Sequence, residues 1–123
     1  MAKTALESTA EELGSYHPDR ELIASQVSGQ RQKALEVARI AADILRRDFG
    51  ATRVAVFGSL ADDKRFSFWS DIDLASWGVP PHKFFGAVAA VSAISPDFRV
   101  ELVDIHSCRA SIRESIEREG IEL

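Results

Sequence analysis

Only one cysteine, Cys108, is present, so no disulfide can close within the chain. That usage suits a reducing compartment, and a cytoplasmic location is expected. Long apolar runs are missing too. The longest uncharged stretch, Phe84 to Ile94, falls far short of the roughly 20 residues that span a bilayer. Met1 to Gly14 carries no signal-peptide core. Nor is there an excess of positive charge. Lys and Arg number 15 against 19 Asp and Glu, a net charge of −4. That balance argues against a general nucleic-acid binder, which neutralises phosphates with a basic face, and any polynucleotide would have to be gripped locally. Four prolines and seven glycines show no fixed period, and no internal repeat is expected.

What remains is a chain of 123 residues, 46% hydrophobic and 28% charged, the size and composition of one small globular domain. One modest core fits within it and two do not. Residues 1–18 are polar and rich in small side chains and read as a flexible N-terminal segment; residues 19–123 read as the single domain.

From Asp19 to Phe49 apolar residues recur at helical spacing, with Leu22, Ile23 and Val27 in one set and Ala34, Leu35, Val37, Ala38, Ala41, Ile44 and Leu45 in the next. Ser28-Gly29 interrupts the pattern, which predicts either two helices or one kinked helix. The basic residues here read as a solvated face, and Gly50 reads as a left-handed stop. The period then changes. Arg53–Phe57 reads as a buried strand running into a tight turn at Gly58-Ser59, followed by a polar loop from Ala61 to Ser70. Asp71–Ala75 reads as a second strand, His82–Ser95 as a helix, and Arg99–Ile105 as a third strand. A final helix over Cys108–Glu119 is expected, capped by Ser107 and stopped by Gly120. The order predicts a mixed α/β (α+β) domain, a small sheet flanked by helices.

Three features carry chemistry. Gly58 permits close backbone approach, while the Ser59 hydroxyl and the amides of the turn suit phosphate oxygens. Asp71 and Asp73 are two apart in a strand, so both carboxylates project from one face. In the third strand Glu101 falls on one face and Asp104 on the other. Converging carboxylates repel, and a divalent cation resolves the conflict. A phosphate-binding turn beside a carboxylate cluster is what metal-assisted nucleotidyl transfer needs. Each signal alone also has a plain structural reading. Gly-Ser after a strand is commonly just a turn, Asp-x-Asp commonly bonds its own backbone, and Glu101 would suit a solvated edge. Asp104 reads as a salt-bridge or helix-entry residue. His17, His82 and His106 show no ligand spacing relative to Cys108, and Trp69 and Trp77 suit either base stacking or packing.

Together these features are more specific. Val54-Ala55-Val56-Phe57-Gly58-Ser59, then eleven residues, then Asp71-Ile72-Asp73-Leu74 resembles the signature of the DNA polymerase β nucleotidyltransferase superfamily. Val100-Glu101-Leu102-Val103-Asp104-Ile105, with Ile112, Ile116, Glu119 and Gly120 at the end, resembles its minimal nucleotidyltransferase branch. The resemblance covers about residues 35–123. It implies that Gly58 and Ser59 hold the outer phosphates of ATP; Lys64 or Arg65, in place of the family's arginine, would either fold back onto the triphosphate or belong to a solvated loop. It implies that Asp71, Asp73 and Glu101 are catalytic and bind two Mg²⁺ ions, or Mn²⁺ in their place, with Glu101 as general base. Two departures stand out: the third acid is usually aspartate, and the usual arginine and glycine after Gly-Ser are replaced by Leu60-Ala61-Asp62-Asp63. The implied activity is AMP transfer from ATP to a tyrosine of a HEPN ribonuclease toxin. The chain would then be a type VII-like antitoxin in a homo- or hetero-oligomer, without membrane or general nucleic-acid binding. The alternatives are an antitoxin acting by contact alone and a small-molecule nucleotidyltransferase.

Overall fold

The computed structural model describes residues 18–123, so residues 1–17 of the expected N-terminal segment lie outside the described residues. Helix α1 runs unbroken over Pro18–Phe49, 32 residues. Of the two expectations at Ser28-Gly29, the single helix holds and the pair of helices does not. A glycine inside a helix costs only about 1 kcal/mol against alanine, and a side chain at Gly29 would meet nothing within 4 Å. The helix does stop at Gly50, whose φ of +79° is open to glycine at little cost. Ala34, Ala38, Ala41, Ala42 and Leu45 form its buried stripe, whereas Leu22 and Ile23 are 57% and 53% exposed.

Strand β1 (Arg53–Phe57) leads into a short 3₁₀ turn, Gly58–Ala61. Strand β2 (Ile72–Trp77) returns antiparallel to β1, with Phe57 opposite Asp73 and Val54 opposite Ser76. The expected β2 start at Asp71 moves to Ile72, whose amide bonds the Arg99 carbonyl at 2.9 Å. A 3₁₀ turn, Pro81–Lys83, precedes helix α2 (Phe84–Ser92), which ends three residues earlier than the periodicity predicts. Strand β3 (Val100–Asp104) lies parallel to β2, a pairing that requires the crossover α2 provides. Helix α3 (Ala110–Glu119) is preceded by Arg109 rather than by a Ser107 cap. The Ser107 hydroxyl instead donates to Asp104 Oδ2 at 3.2 Å. A fourth strand, β4 (Ile121–Glu122), pairs with β1 and was not foreseen. It is too short to show a period, and it is fastened by Arg53 to Glu122 and by Leu123 N–H to the Val54 carbonyl at 3.0 Å.

The sheet order is β3-β2-β1-β4, mixed in direction, with helices on both faces. Strand alternation divides the side chains. Val54, Val56, Ile72, Leu74, Val100 and Leu102 join the stripe of α1 and Ala87 and Val91 of α2 in the main core. Ala75 and Ile105 face α3 through Ile116, with Phe57, Trp77, Val103 and Ile112 packed around them. This is the mixed α/β architecture that the element order predicts. No helix among the described residues is long and apolar enough to cross a membrane.

Leu74 is fully buried in the central strand. Leu74→Ala should therefore lower unfolding free energy by about 2–5 kcal/mol. Leu22→Ala, on the exposed start of α1, should stay within about 0.5 kcal/mol. Urea unfolding at constant m-value measures both.

Candidate active site

The same alternation that buries Leu74 turns Asp73 to the α3 face, in register with Phe57 on β1 and Glu101 on β3. Residues directly opposite on adjacent strands share a face and stand within reach of each other. Asp73 and Glu101 are therefore neighbours by register, at the end of the sheet where β1 finishes and β2 and β3 begin. Asp71 precedes β2 and is partly buried.

This crowding has an electrostatic signature. The Asp73 carboxyl is pushed up to about 6, first by burial, then by the Glu101 charge and then by Asp71. Asp73 thus senses both neighbouring carboxylates. Glu101 lies at the rim, where its Oε2 accepts from Arg99 Nε at 3.2 Å.

Gly58 closes the other side. Its φ is +72°, and a Cβ built there would lie 2.6 Å from Asp73 Oδ2. A side chain at this position would have to displace the Asp73 carboxylate, which glycine avoids. The turn is held from outside by two arginines. Arg65 Nη2 donates to the Gly58 carbonyl at 3.1 Å and to Glu119 Oε1 at 2.7 Å, and Arg65 Nε lies 3.3 Å from Asp62 Oδ2. Glu119, then Asp62, raise the Arg65 pKa further. Arg31 donates from α1 to the Leu60 carbonyl.

The structure thus brings together Gly58, Asp73 and Glu101, with Arg65 bonded to the Gly58 carbonyl. Ser59 lies in the turn and is partly buried, and its carbonyl accepts from the Asp62 amide at 3.2 Å. Lys64 bonds through its backbone amide to Asp62 Oδ1 and is exposed. Asp104 accepts from the His106 amide at 3.1 Å and from Ser107, a helix-entry role. Arg31 escaped the sequence reading, which treated the basic residues of α1 as a solvated face. The available signal was its position: Val27, Arg31, Ala34 and Ala38 follow helical spacing, so Arg31 occupies the inward stripe.

As the side chains stand, no group of three His, Cys, Asp or Glu among the described residues is arranged to hold a metal ion. The donor set nevertheless suits a hard divalent cation, because the mutual repulsion that raises Asp73 is what such an ion relieves.

The sequence matches no protein-family model and no curated protein. Solved structures do match. A chain of a toxin–antitoxin complex with AMP-PNP has a TM-score of 0.55 and 20% identity, covering 66% of this chain and 67% of that one. A chain of the tri-AMPylated Shewanella oneidensis HEPN toxin in complex with MNT antitoxin has a TM-score of 0.54 and 18% identity, covering 72% and 70%. A chain of the MntA–HepT complex has a TM-score of 0.53 and 17% identity, covering 72% and 69%. The fold is shared. At these identities the likeness is one of architecture, and the chemistry has to be argued from this chain's own residues.

Two outcomes are expected. Folding must hold a proton on Asp73 that the unfolded chain has already lost, so metal-free protein should lose stability as pH rises from about 4 to about 6 and then level off. Asp73→Asn should be more stable than wild type above pH 6, with that advantage shrinking towards pH 4; unfolding midpoints across pH measure it. Gly58→Ala should cost about 1–2 kcal/mol for the left-handed backbone alone. Because its Cβ meets Asp73, the Asp73 carboxyl resonance should shift as well, which NMR detects.

Proposed function

We propose that the chain is a metal-dependent nucleotidyltransferase that moves AMP from ATP to a protein hydroxyl, an antitoxin whose acceptor is a tyrosine of a HEPN toxin. The observation that carries this reading is the crowding of Asp73 by Glu101 and Asp71 directly against the Gly58 turn. The shared fold with toxin–antitoxin complexes, one holding AMP-PNP and one a tri-AMPylated HEPN toxin, supports the nucleotide and the acceptor class.

In this reading Gly58 and Ser59 receive the β- and γ-phosphates through backbone amides and the hydroxyl, with Lys64 and Arg65 adding positive charge from the same loop. Asp71, Asp73 and Glu101 would hold Mg²⁺, which supplies charge neutralisation on the triphosphate and acidifies the acceptor hydroxyl. Asp73, fixed between two strands, orients the α-phosphate region. Glu101, at the rim, accepts the proton of the incoming hydroxyl. The hydroxyl oxygen bonds to the α-phosphorus while the bond to the leaving pyrophosphate breaks.

A second reading, inhibition of the partner by contact alone, is favoured by one observation: Glu101 engages Arg99. Intact mass spectrometry decides between them. HEPN-type partner incubated with this protein, ATP and Mg²⁺ should gain one or more AMP masses, and Asp73→Ala should abolish the gain while its circular dichroism stays unchanged. Glu101→Gln should lose at least about 10²-fold in turnover, the scale of general base catalysis, with a smaller change in ATP affinity. A stable complex without mass gain for any NTP would establish contact inhibition instead.

A further inference from the structure

Arg31 precedes Leu60 by 29 residues, yet its guanidinium closes on the turn of the candidate site. Nε and Nη2 both donate to the Leu60 carbonyl, at 3.2 and 2.8 Å. The Leu60 side chain is fully buried in the main core. The turn is therefore anchored by an apolar side chain below and by a planar two-donor fork on its carbonyl. A charged residue on the inward stripe of a helix is costly unless its donors are satisfied. Here a single backbone carbonyl takes two of them, and it lies two residues after the glycine that rests on Asp73.

We propose that Arg31 is a positioning residue for nucleotide binding: its fork fixes the Leu60 carbonyl and, through it, the placement of Gly58 and Ser59 over Asp73. This rests on the reading of Gly58-Ser59 as the triphosphate cradle. The turn needs such a brace because it has no slack. A Cβ at Gly58 would lie 2.6 Å from Asp73 Oδ2, so the turn sits close over that carboxylate, and a displacement of about 1 Å would spoil reacting geometry. Arg65 engages the first carbonyl of the turn, but from an exposed loop. Arg31 engages the third from a helix whose following turns are buried against the sheet, so it transmits the rigidity of the core. The fork matters more than the charge. A lysine at this position keeps the cation and loses the paired donors.

The test compares wild type, Arg31→Gln and Arg31→Lys by hydrogen–deuterium exchange, following the peptide over residues 57–66, with β2 peptides as the fold control. The same proteins are titrated with the α,β-methylene analogue of ATP and Mg²⁺. Both variants should exchange about tenfold faster in the turn, and bind the analogue about tenfold more weakly, the scale of one hydrogen bond to a charged group. Exchange in β2 should not change. Unchanged turn exchange in Arg31→Gln would overturn the brace. So would wild-type behaviour of Arg31→Lys, which would make Arg31 a source of charge alone. A wild type that binds no analogue would instead sink the cradle reading, while turn exchange still decides the brace.

Discussion

Two carboxylates set side by side on neighbouring strands repel, and a sheet gains nothing by keeping them together. The parallel register of β2 and β3 nevertheless places Asp73 beside Glu101. The surroundings intensify the conflict, since Asp73 is partly buried and Asp71 adds a third charge. The rest of the molecule can be understood as the means of holding that arrangement. β1 runs into a turn that begins on Gly58, set over the Asp73 carboxylate, and α2 carries the chain across so that β3 can run parallel. α3 covers the same sheet face around Ala75, Ile105 and Ile116, beyond the acidic end. Such local conflict between stability and arrangement is the usual mark of a site under functional demand.

Much of this was legible in the sequence because it rests on local period. Arg53–Phe57 appears as a strand at its predicted bounds, and the alternation around Leu74 and Leu102 correctly separates core from site face. The spacing of Asp71 and Asp73 names two of the three crowded carboxylates. Asp71 lies just outside β2, and the partner register places beside Asp73 is Glu101, across the sheet rather than along the strand. Strand pairing is a property of the fold, so one strand's sequence cannot state it.

The parts that escaped are those in which distant residues meet. Arg31 reaches Leu60, Arg65 reaches Glu119, and β4 returns to β1, all across separations where periodicity carries no information. Ser107 looked like a cap because it precedes a helical run, yet Asp104 competes for its hydroxyl and the helix begins three residues later. The unbroken passage of α1 through Gly29 has a similar cause. A weak local preference yields where the helix is continued by well-docked turns.

The stripe of α1 that meets the sheet is almost entirely alanine: Ala34, Ala38, Ala41 and Ala42, each no more than 1% exposed. These side chains have no rotamers to adjust and leave no space to yield, so they set the spacing between helix and sheet as a fixed gauge. Arg31 stands one turn before that gauge begins and holds the Leu60 carbonyl from it. The height of the Gly58–Ala61 turn above the carboxylates is thus calibrated by methyl groups that touch neither. The chemically blandest surface of the protein is also its measuring instrument.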